Sequence, residues 1–244
     1  SNGSATITAT AGGSRGTAEV TVTAVVSPMR FAALNVGSAH ACGITAVGQP
    51  YCWGQNRDGR LGDSTLTVRR EPVAVTSELV YRTVNAGLFH TCALTTRGDA
   101  YCWGEDAIGQ PGNGTDTEPE QCTFPCRTKP VLVLGGLRFQ SVDAGGGHSC
   151  GVTIPGRAFC WGENSNGQLG APSGPDSDEC LFSCSTIPVG VSGAHTFQVV
   201  SAGFTHSCGV TTAGQAYRWG ENTFGQVGDG AITGRPEPVP VAGE

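Results

Sequence analysis

Hydrophobic and polar positions alternate along this chain in short runs, and glycine closes most of them. In the first clear unit "HACGIT" and "QPYCWG" flank a three-residue turn, "AVG", and the arrangement returns around Cys92, Cys150 and Cys208. Period-two alternation between turn residues predicts strands rather than helices. A three-residue hairpin loop places glycine last, in the left-handed conformation. Gly48, Gly98, Gly156 and Gly214 stand at that position. Counting outward from the turn pairs residue 45 with 49 and sets Cys42 directly across from Cys52, within disulfide reach for facing strand residues. Trp53 points to the opposite face from Cys52, so both faces of the sheet carry side chains that want burial. Strands are expected at about 31–36, 40–45, 49–54 and 72–76 of this first unit. Pro155 occupies a turn position where proline is disfavoured.

The unit recurs four times. Anchored on Cys42, Cys92, Cys150 and Cys208, the columns hold an aromatic (Phe31, Tyr81, Phe139, Phe197), a glycine, a histidine (His40, His90, His148, His206), the turn glycine and a tryptophan (Trp53, Trp103, Trp161, Trp219). Anchor spacings are 50, 58 and 58 residues, and the extra length falls in two loops carrying "QCTFPC" and "ECLFSC". Four-stranded sheets buried on both faces and repeated at this period predict an all-β chain of β-propeller blades. The expected blades are 30–78, 79–136, 137–194 and 195–244. Residues 1–27 differ: two alternating runs separated by Gly12-Gly13 predict a β-hairpin.

Composition narrows the function classes. The 244 residues include 38 glycines, only 14% are charged, and the net charge is −6. That balance leaves no basic footprint for nucleic acid. No apolar run approaches the roughly 18 residues of a membrane-spanning helix. Nucleophile-elbow, phosphate-loop and zinc-protease motifs are absent from the sequence, so neither enzymatic activity nor a cofactor is expected.

"GLFHTCALTTRGDAYCWGEDAIGQPGNG" and its sisters resemble the regulator-of-chromosome-condensation repeat family, in its bacterial, cysteine-containing type. The resemblance covers about residues 30 to 242. It implies a β-propeller, which in that family usually has seven blades, so further blades outside this segment or a second copy are expected. Residues 1–27 are similar to the last two strands of a bacterial immunoglobulin-like domain of group 2.

Eleven cysteines raise the main chemical question. The register favours Cys42–Cys52, Cys92–Cys102 and Cys150–Cys160 as cross-strand disulfides, with reduced core thiols and metal binding as alternatives. Cys122, Cys126, Cys180 and Cys184 could close two local rings, cross-link the two loops, or share a zinc ion. Cys208 faces Arg218 and remains an unpaired thiol. The four column histidines read as structural hydrogen bonders rather than metal ligands, and His195 lies outside the pattern. Acidic stretches in the two long loops read as solvated.

The functional expectation is a secreted or cell-surface protein-binding module whose partner, an unknown protein, meets the loops 113–129 and 171–187. Phe124 and Phe182 are the candidate contact residues. A surface spacer is one alternative. The family's eukaryotic namesake suggests another, guanine-nucleotide exchange, which the cysteine pattern opposes because disulfides are rare in the nucleus.

Overall fold

The computed structural model describes residues 3–11, 14–22, 28–114, 122–171 and 183–242, the first two segments by backbone alone. Two compact units divide between Arg30 and Phe31. In the first, β1 (Gly3–Ala11) and β2 (Ser14–Val22) pair antiparallel with Gly3 opposite Val22.

The second unit contains four four-stranded antiparallel sheets, each a meander in chain order. Blade 1 is β3 (Ala33–Val36), β4 (His40–Ile44), β5 (Pro50–Gly54) and β6 (Arg69–Ala74); blade 2 is β7 (Tyr81–Ala86), β8 (His90–Thr95), β9 (Ala100–Glu105) and β10 (Cys126–Leu132). Blade 3 is β11 (Phe139–Ala144), β12 (His148–Thr153), β13 (Ala158–Glu163) and β14 (Cys184–Gly190). Blade 4 is β15 (Phe197–Ala202), β16 (His206–Thr211), β17 (Ala216–Gly220) and β18 (Arg235–Pro240). The first strands β3, β7, β11 and β15 line one common groove, and each blade packs on the next through them.

The central hairpin has the predicted register: Cys42 faces Cys52, Ala41 faces Trp53 and Ile44 faces Pro50. Gly48 closes the turn at φ +81°, donating its N–H to the Thr45 carbonyl at 2.9 Å. Pro155 leaves the equivalent turn intact, because the closing bond comes from the Gly156 N–H to Thr153. The fourth strand departs from expectation, running 69–74 instead of 72–76. A register shift between Cys52 and Gly54 brings Arg69 opposite Gly54 and lets the polar "RRE" segment join the exposed outer edge.

Burial is organised between blades rather than within them. The Cys42–Cys52 pair, Leu61 and Val75 of blade 1 pack against Tyr81, Val84 and Trp103 of blade 2. The same set recurs between blades 2 and 3 around Trp161, and between blades 3 and 4 around Trp219. Each cysteine pair therefore faces forward, toward the next blade, and each tryptophan faces back. Close approach explains one glycine column: a Cβ on Gly62, Gly112 or Gly170 would stand 2.6–2.8 Å from the indole nitrogen of Trp103, Trp161 or Trp219. At φ near +70° these positions are strained for other residues as well.

Candidate functional site

Three short chains of hydrogen bonds join the blades, and the histidine column starts each. His40 Nε2 meets Thr91 Oγ1 at 2.8 Å, His90 Nε2 meets Ser149 Oγ at 2.9 Å, and His148 Nε2 meets Ser207 Oγ at 2.8 Å. Each hydroxyl donates in turn to a carbonyl of the preceding blade, those of Arg60, Gln110 and Gln168. The same three carbonyls accept the indole N–H of Trp103, Trp161 and Trp219 at 2.9 Å. Because the hydroxyl proton is committed to the carbonyl, each histidine must donate from Nε2. Its Nδ1 then carries a buried lone pair, and Nδ1 of all three finds no partner. Burial pushes the three imidazoles down to about 3, helped by the Arg60 charge beside His40 and by neighbouring histidines beside His90 and His148. These residues hold blades together, and no group of three or more potential metal ligands occurs among the described residues.

The surface chemistry lies at the loops. Cys122 and Cys126 are joined in a local ring with Cα atoms 6.1 Å apart, so this loop is not cross-linked to its counterpart. Directly after the ring, buried Arg127 donates from Nε to Asp106 at 2.7 Å. The Asp106 N–H bonds the Pro125 carbonyl at 2.8 Å. Ring and ion pair together fix the end of the loop against blade 2. Phe124, within the ring, is 64% exposed.

Phe124 and Thr123 border a groove completed by Arg57, Asp58, Phe89 and Glu105. The Arg60 guanidinium lies 5.1 Å over the Phe89 ring, donates to the Leu88 carbonyl and pairs with Asp58. Burial raises the Glu105 carboxyl above its ordinary range, with the Asp58 charge adding to the effect. Phe124 therefore stands exposed on a pinned loop beside the Asp58 and Glu105 carboxylates. Phe124 stands out in the sequence, whereas Phe89, Asp58 and Glu105 do not, because they converge on it only through blade packing. Phe182 and Cys180 lie outside the described residues, as do the acidic stretches; Cys184 begins β14, buried and disulfide-bonded.

Cys42–Cys52, Cys92–Cys102 and Cys150–Cys160 are joined, each with Cα atoms 4.1 Å apart. Among the described residues Cys208 is the free cysteine, half-buried opposite Arg218, and burial raises its thiol pKa. His195 packs its ring 4.1 Å from Tyr217 and 5.8 Å from Phe197, two residues of the cluster between blades 3 and 4.

Two models of the regulator of chromosome condensation (RCC1) repeat match the sequence, one at residues 48–94, 97–152 and 155–210, the other at 81–110, 139–168 and 198–226. The chain belongs to the RCC1 repeat family. The ultraviolet-B receptor UVR8 of Arabidopsis thaliana is 33% identical over 118 residues, which is 47% of this chain and 25% of that protein. The human E3 ubiquitin-protein ligase HERC2 is 30% identical over 100 residues, 40% of this chain and 2% of that one. Prp20p of Saccharomyces cerevisiae, the yeast RCC1, superimposes with a TM-score of 0.75 at 21% identity, over 92% of this chain and 53% of its own. Human WBSCR16 gives a TM-score of 0.74 at 19% identity, over 93% and 56%. The chain thus spans about half the length of these solved RCC1-type propellers and a quarter or less of these two sequence relatives.

Proposed function

We propose that this chain is a non-enzymatic protein-binding module of a secreted or cell-surface protein, its blades the scaffold and its inter-strand loops the contact surface. The observation that carries the reading is Phe124, exposed on a loop pinned by its own ring and by Arg127–Asp106, at the rim of the groove with Phe89 and Glu105. Protein binding is the property named for the yeast RCC1 neighbour, which was solved with Kap60 and described with Gsp1p and histones. Cysteine pairs stacked at three successive blade interfaces support an oxidising compartment and weigh against a nuclear exchange factor. On this reading the β1–β2 hairpin is the end of an immunoglobulin-like domain.

Two measurements test it. Thiol titration of the unfolded chain, recovered from its native host, should find one reactive thiol before reduction and the full 11 cysteines afterwards. Eleven before reduction would remove the secreted reading. Separately, Phe124→Ser should weaken capture of the partner from that host's surface fraction by roughly 30-fold, the scale of an aromatic hot spot, without shifting the melting temperature. A spacer would be indifferent to the change, so unaltered capture would sink the contact assignment.

A further inference from the structure

The repeat supplies its own control for the groove at Phe124. Glu105 and Glu221 each follow a Trp-Gly pair and occupy the same position in blades 2 and 4. In blade 4 the carboxylate is fully engaged: Oε2 accepts the Thr205 hydroxyl and Oε1 the Thr223 hydroxyl. Blade 2 lacks both donors. Phe89 stands in the column of Thr205, and Ala107 in that of Thr223. Glu105 Oε2 accepts a single bond, from Gln110 Nε2 at 3.3 Å, and Oε1 accepts none from the described residues.

No counter-ion answers it either. The buried Arg60 guanidinium is committed to Asp58 and to the Leu88 carbonyl. Arg57 approaches Asp58 at 3.9 Å, with its side chain 74% exposed. Among the described residues no cation pairs with Glu105. A half-buried carboxylate with neither donors nor a counter-ion costs free energy, a cost that blade 4 offsets at the same place with two threonines.

The surroundings restrict what can answer Glu105. The groove holds about 230 Å³, below the about 300–1,000 Å³ of small-molecule sites. A calcium ion needs six or more oxygen ligands, and no group of three or more potential metal ligands occurs among the described residues. One long side chain suits the space. Aromatic surface beside an unanswered carboxylate is complementary to a cation on an aliphatic stem, whose head pairs with the acid while its body covers the ring.

We infer that this groove receives a basic side chain of the protein partner, arginine or lysine, with its charged head on Glu105 Oε1 and its stem against Phe124. The inference rests on the binding-module reading above and names the partner's chemistry at that site.

End-blocked glycine pentapeptides with a central arginine, lysine or norleucine test it on the 244-residue chain, followed by NMR shifts at Glu105 and the Phe124 ring. Norleucine keeps the stem and drops the charge. The charged peptides should bind about 10-fold more tightly than the norleucine peptide. Glu105→Gln should bring all three to one level. Ala107→Thr, which offers Oε1 the donor that Thr223 gives Glu221, should weaken the charged pair about 5-fold. The melting temperature of Glu105→Gln should hold or rise, because the unanswered charge is gone; a fall would assign Glu105 a structural role and overturn the inference. It would be overturned equally by a norleucine peptide that binds as tightly as the charged ones, by Glu105→Gln binding them undiminished, or by charged peptides that shift neither residue at millimolar concentration. Each of those results leaves the module reading standing, since Phe124→Ser tests partner capture without any peptide. Failure of the module reading looks different: capture that Phe124→Ser leaves unaltered while the peptides still discriminate by charge.

Discussion

Acidification from pH 6 to pH 4 is expected to unfold the four-blade unit. His40, His90 and His148 are buried, held neutral by their surroundings, and titrate at about 3 in the fold, against about 6.5 in an unfolded chain. With the folded value below the unfolded one, the unfolded chain takes up each proton first, so stability is full above pH 6.5 and drains as pH falls toward 3. Each histidine contributes a slope of about 1.4 kcal/mol per pH unit, and three together about 4 kcal/mol per unit over that window. Two pH units of such a slope remove about 8 kcal/mol, the scale of the about 5–15 kcal/mol that a domain has in total. The carboxylates modify this modestly. Asp63, depressed by its hydrogen bonds to Thr65, Arg69 and Asn56 despite partial burial, acts in the same direction at lower pH. Glu105 and Asp143, raised by burial, bind protons first in the folded state and oppose it. Tryptophan fluorescence followed in denaturant at several pH values reads the slope directly. His90→Gln, which can keep a donor for Ser149 but cannot ionise, should flatten the slope by about a third. A wild-type stability that is level between pH 6 and 4 would refute the buried neutral ladder.

Trp161→Ala should cost about 3–5 kcal/mol, the upper range for removing a core aromatic. Three losses coincide there. The indole is fully buried, packs in the cluster of Cys92, Cys102 and Phe139, and donates to the Gln110 carbonyl at 2.9 Å. Its removal opens a cavity between blades 2 and 3, where compaction is limited because both walls are hydrogen-bonded sheets. Trp53 occupies the same column on blade 1, yet is only half-buried, with its ring 5.7 Å from Phe31. Trp53→Ala should therefore cost less than half as much. Equal losses by chemical denaturation would mean that the indoles stabilise their own blades rather than the interfaces between them.

The contrast between these two tryptophans marks how far the primary structure reaches. Hairpin register, turn glycines, the facing of Cys42 and Cys52 and the four-fold repeat all follow from alternation and spacing, because partners within a hairpin are close in sequence, from Ile44 with Pro50 out to His40 with Gly54. Two adjacent residues on a strand point to opposite faces whatever the rest of the chain does. So the sequence dictates that Trp53 and Cys52 belong to different faces, and that Arg218 leaves Cys208 without a partner. It does not dictate which blade covers either face.

That depends on how one sheet rotates against the next, which no local pattern encodes. The partner of His90 is Ser149, 59 residues away, and the groove at Phe124 gathers Arg57, Phe89 and Glu105 from two blades. The histidine column reads as structural in the sequence, but its acceptor and tautomer are set by a hydroxyl of the next blade, which gives its proton to a backbone carbonyl of the histidine's own blade. Arg218 shows the same division most plainly. In the chain it reads as a lost cysteine; in the folded blade it reaches Gln226, eight residues on, and fills the acceptor that every other blade keeps for its neighbour. Sequence determines which faces exist, since side-chain direction on a strand is a local property. Packing determines what each face meets, since the groups that satisfy a buried donor are brought from repeats 50 or more residues distant.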